Sequence, residues 1–150
     1  MKPTEPRNER AGIEYLDHTA DAAIRVRGRT VAEAFKRAAS GMFSLMVDVE
    51  SVHPNVAIRI RCGAPTLADL LVAWLARLLA ECDVRGVVFC AFEVSIEQAN
   101  AECTLSATVR GERLDIGRHR PALEVKGISL LGLLVEEHEG EWVAQCVFDV

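Results

Sequence analysis

No apolar run in this 150-residue chain is long enough to span a bilayer. The richest stretch, Leu67 to Leu79, is interrupted by Asp69 and Arg77, so no membrane segment is expected. The first twelve residues lack the apolar core of a signal peptide. They are polar, carry Pro3 and Pro6, and read as a disordered tail (1–12) ahead of one domain at 13–150. C-x-x-C spacing is missing too. The five cysteines, Cys62, Cys82, Cys90, Cys103 and Cys146, are odd in number and fall mostly in apolar patterns. They read as small buried hydrophobes in a reducing cytoplasm, not as disulfides or zinc ligands. There is no G-x-S-x-G, no glycine-rich phosphate loop and no H-E-x-x-H. Cys103 and Cys146 occupy inward strand positions with no histidine beside them, which argues against a thiolate enzyme. Basic charge is also short: 17 Lys and Arg stand against 22 Asp and Glu, a net charge of −5. Strong unaided nucleic-acid binding is therefore not expected, and the balance suits a basic protein partner or a cation.

What is present is core material. Half of the residues are hydrophobic, ample for one core at this length. Glu14 to Leu16 and Ala22 to Gly28 read as strands, the second alternating Ile24 and Val26 with Arg25 and Arg27. Thr30-x-x-Glu33 is a capping box. The helix after it stacks Val31, Phe35, Ala38, Met42, Leu45 and Met46 on one face and ends between Val47 and Glu50. Val56 to Arg61 alternates as a third strand, and Thr66-x-x-Asp69 opens a second helix whose apolar face includes Leu70, Trp74 and Leu78. After Gly86 the chain turns strand-rich. Val87–Cys90 and Phe92–Ile96 read as two strands or one bent one, and Cys103 to Val109 as another, stopped by Gly111. Arg113 to Pro121 reads as a loop. Ala122 to Val135 and Trp142 to Phe148 form a final pair turning near Glu139-Gly140. The order β-β-α-β-α-β-β-β-β predicts an α+β fold, two helices on an antiparallel or mixed sheet.

Acidic residues stand at the ends of two of these strands. Asp149 closes the run Trp142 to Phe148, and Asp17 and Asp21 flank the turn in Leu16-Asp17-His18-Thr19-Ala20-Asp21. Read singly, Asp17 caps a turn, Asp21 is a solvated acid and Asp149 is a frayed end. Read together, they share a problem. Two carboxylates about 5 Å apart at an effective dielectric near 20 repel by roughly 3 kcal/mol, about two pKa units. A divalent cation reverses that sign. If the first and last strands are neighbours, two carboxylates from among Asp17, Asp21 and Asp149, an oxygen of Val150 and water make a hard-oxygen site for Ca2+, with Mg2+ or Mn2+ as alternatives. His18, between the acids, suits a hydrogen bond that fixes the turn better than ligation. Arg118-His119-Arg120 with Lys126 is the clearest basic cluster: a solvated loop, or a contact for phosphate or for acids of a partner. Arg25, Arg27, Arg59 and Arg61 read as the water faces of strands.

The same residues carry a resemblance. Tyr15 to Asp21, Gly28-Arg29-Thr30, Glu33-Ala34-Phe35 and Met42 to Met46, then Arg118 to Pro121, Glu124-Val125-Lys126, Trp142-Val143 and Phe148-Asp149-Val150, are similar to the archease family from about Tyr15 to Val150. The resemblance implies an archease-like fold and a cytoplasmic, non-enzymatic accessory factor of the RtcB-type RNA ligase in tRNA splicing. It implies that the factor promotes guanylylation of the ligase and many turnovers. It also implies calcium held by Asp21 and Asp149 with Val150, and leaves Asp17, His18 and Lys126 as second-shell or partner residues. The mechanism is open between positioning a divalent ion for nucleotidyl transfer and biasing a ligase conformation. Another class of reading is a chaperone or modulator of an RNA-modifying enzyme such as a tRNA methyltransferase. A small metal-dependent hydrolase is a third, without a visible general base. The chain departs from the family pattern on the second helix, where Ala73 and Arg77 replace two acids. It departs again at Leu131, which replaces a histidine ahead of Gly132.

Overall fold

A computed structural model of the chain describes residues 12–17 and 22–150. Strands β1 (Ile13–Asp17) and β2 (Ala22–Gly28) lead into helix α1 (Val31–Met46) and a 3-10 turn (Val49–Ser51). Strand β3 (Val56–Ala64), helix α2 (Leu67–Arg85) and strands β4 (Val87–Ala99) and β5 (Glu102–Arg113) follow. A one-turn helix α3 (Ile116–His119) precedes β6 (Gly127–His138) and β7 (Glu141–Asp149). The α+β class and the order of the main elements agree with the sequence pattern. The caps do as well: the Thr30 and Thr66 side chains accept from the amides of Glu33 and Asp69. No described helix is long and apolar enough to cross a membrane.

The strands form two antiparallel sheets, ordered β1-β2-β7-β6 and β3-β5-β4, where one was expected. The helices explain why. Buried residues of α1 run from Gly41 and Ala34 through Phe35 and Met42 to Phe43, an arc of about 200° at 100° per residue. One sheet covers about half of that, so a second must cover the rest. Accordingly α1 packs on β2 and β7 on one side and β4 on the other, and α2 on β6 and on β3 and β5. The helices form the layer between the sheets. Trp74, fully buried, joins them: its indole N–H donates to the Phe35 carbonyl at 3.0 Å. Its ring stands edge-on to Phe92, with centroids 6.3 Å apart.

One alternative of the sequence reading is decided, and two boundaries differ from it. β4 is one strand, bent by a bulge between Phe89 and Ala91. β5 does not stop at Gly111 but continues to Arg113. That glycine is there for proximity: a Cβ would fall 1.8 Å from the Val88 carbonyl oxygen. β6 starts at Gly127, not Ala122, because the preceding segment has another task. The amides of Ala122 and Leu123 donate to the carbonyls of Met46 and Leu45, satisfying the exposed end of α1. Of the expected N-terminal tail only Gly12 is described, in left-handed conformation at φ 78°.

Candidate functional site

Register assembles one end of the four-stranded sheet from distant parts of the chain. Asp17 pairs with Ala22, Ala22 with Phe148, and Asp149 with Gly127. The end of β1, the beginning of β2, the end of β7 and the beginning of β6 therefore stand in one row. The first and last strands are not neighbours, as the site reading had required: β2 lies between β1 and β7, and it is the beginning of β2 that pairs with the end of β7. The Asp149 carboxylate is exposed and lies near Gly127, where an added Cβ would sit 3.6 Å from Oδ2. Among the described residues no cation reaches it within ion-pair distance. The Asp149 carbonyl accepts from the Lys126 amide at 2.7 Å, which brings that exposed lysine to the same end of the sheet. Val150 follows at 38% exposure.

Asp21 and His18 lie outside the described residues, and of Asp17 only the backbone is described. The predicted ligand set is thus represented by Asp149 and Val150, with the backbone of Asp17 and Ala22 beside them. Among the described residues no three His, Cys, Asp or Glu side chains converge as metal ligands.

The basic cluster is divided by the fold. Arg120 and Lys126 are exposed, but His119 is fully buried, and Arg118 hydrogen-bonds Glu112. The solvated-loop reading therefore fails for His119, while Arg118 stays exposed but is tied to Glu112. The physical reason is Glu112, a carboxylate only 8% exposed that needs donors. It accepts from the Arg118 guanidinium and from the His53 amide at 3.0 Å, and it lies 2.8 Å from His119 Nε2. The other ring nitrogen, Nδ1, accepts from the Asp115 amide at 2.9 Å. That bond leaves the proton on Nε2, so the imidazole donates to Glu112. The Arg118 hydrogen bond, followed by the His53 amide, holds the Glu112 carboxyl far below the usual carboxylate range. With no surface exposure, His119 cannot offer a proton to a ligand. The network fastens α3 and the 3-10 turn to β5. Sequence reading missed it because Gly111 was taken to end the strand one residue earlier; the cap Asp115-x-x-Arg118 was the available signal.

The strand arginines divide too. Arg27, Arg59 and Arg61 face water, whereas Arg25 gives two hydrogen bonds, at 3.0 and 2.7 Å, to the Gln145 side chain on β7. All five cysteines are free, Cys103 and Cys146 buried. Burial pushes the thiols of Cys82 and Cys146 up to about 12, which removes them as nucleophiles near neutral pH. On α2, Arg77 pairs with Glu81 at 3.0 Å, and Glu81 with Arg85 at 2.6 Å. Leu131, the other departure, is 83% exposed on β6.

Comparison with known proteins gives one answer. The model of the Archease protein family matches residues 13–150. The protein archease of Pyrococcus furiosus is 37% identical over 138 residues, covering 91% of this chain and 97% of that protein. That of Methanosarcina mazei is 36% identical over 138 residues, covering 91% and 94%. The solution structure of Methanobacterium thermoautotrophicum protein 1598 superposes with a TM-score of 0.84 at 28% identity, over 94% of this chain and all of that one. A Thermotoga maritima crystal structure, described as an archease and possible chaperone, gives 0.56 at 16% identity over 96% and 99%, a likeness of fold.

Proposed function

Because the chain belongs to the archease family, we propose that it is a metal-binding accessory protein of an RtcB-type RNA ligase, acting in tRNA splicing or RNA repair. Its task is to promote guanylylation of the ligase and so allow multiple turnovers, without being a catalyst itself. The observation that supports this most is the row at the end of the four-stranded sheet. It aligns the backbone of Asp17 and Ala22 with Phe148, Asp149 and Gly127, and so draws the two acidic segments of the sequence together.

The donors available suit a hard cation. Asp149 offers an exposed carboxylate, Val150 an oxygen and Asp21 a second carboxylate; calcium fits such ligands, with magnesium or manganese as alternatives. When bound, the ion would supply positive charge to set against phosphoryl oxygens. The residues of the chain do the rest. Lys126, fixed through its amide to the Asp149 carbonyl, offers a cation beside the acids. Asp17 and His18 would support the site or face the partner. Docking of this end on the ligase would favour the conformation that accepts GTP.

The test is multiple-turnover ligation by the cognate ligase with GTP and divalent metal, alone, with the wild-type chain and with Asp149→Ala. Turnover that rises with the wild type and not with the variant supports the reading. No effect from the wild type sinks it and favours a chaperone or modulator of another RNA-modifying enzyme, which co-purification with a methyltransferase would reveal.

A further inference from the structure

We draw no further inference here: the strongest candidate, the outer face of the three-stranded sheet with its shallow groove, sets Arg59, Arg61 and Arg110 against Glu93, Glu97 and Glu102, a balance of charge that selects no partner, and nothing in the structure shows what covers it.

Discussion

Replacing Trp74 by phenylalanine tests whether the helical layer is joined as described. The indole N–H is the only side-chain hydrogen bond seen between α1 and α2 among the described residues, donated at 3.0 Å to the Phe35 carbonyl. Phenylalanine removes the donor and leaves the carbonyl in its own helical ladder, so that loss is about 1 kcal/mol. The smaller ring also gives up about two methylene equivalents of buried surface, roughly 0.8 kcal/mol each. The sum is about 2.5 kcal/mol. At about 2–4 °C per kcal/mol for a domain of this size, the melting temperature falls by about 5–10 °C. Circular dichroism melts, with urea titrations showing an unchanged m-value, measure it. Trp142→Phe, at a half-buried position, is the control and costs less. A drop below about 2 °C for Trp74→Phe refutes the argument, because the bond and the packing would then both be dispensable.

Four further outcomes follow from the structure. Glu112→Gln flattens the acid limb of stability: the folded carboxyl titrates far below its unfolded value near 4.3. The wild type therefore keeps that contribution above about pH 4.3 and loses it as pH falls further; melts from pH 7 to pH 2 compare the two slopes. Gly111→Ala prevents the β4–β5 pairing, since the methyl would meet the Val88 carbonyl at 1.8 Å, and is read as loss of folded yield. On the proposed ion site, calcium at about one hundred times its dissociation constant would stabilise the wild type by about 2.7 kcal/mol, about 5–11 °C in the melt; chelation would remove the rise, and Asp149→Ala would not show it. Cys82 and Cys146, with thiols near 12, resist a thiol reagent at pH 8 until the chain is unfolded, which mass spectrometry of labelled peptides follows.

Local chemistry made most elements legible. The capping threonines, the stripe of spacing three and four on α1 and the alternation in β2 and β3 each act within a few residues, and each agrees with the structure. What lay beyond sequence reading acts across distance. Gly111 reads as a strand breaker until the Val88 carbonyl is seen against it. Ala122 and Leu123 resemble a strand until they are found completing the end of α1. His119 reads as part of a basic loop until Glu112 is found beneath it. For the candidate site, the sequence reading set the last strand beside the first, whereas the structure sets β2 between them. The sequence did not supply the bulge in β4, because a register break depends on both partners of a strand pair.

The pairing of β2 with β7 also has a temporal side. Ala22 meets Phe148 across nearly the whole sequence, and closing so long a loop is slow beside helix or hairpin formation. On the ribosome, β1 and β2 emerge early and stand without their neighbour until almost everything else has been made. The three-stranded sheet, by contrast, is contiguous from β3 to β5 and can pair at once. A chain broken off before β7 would lack the acidic row and leave part of the buried face of α1 uncovered. The row therefore cannot assemble until β7 has been made.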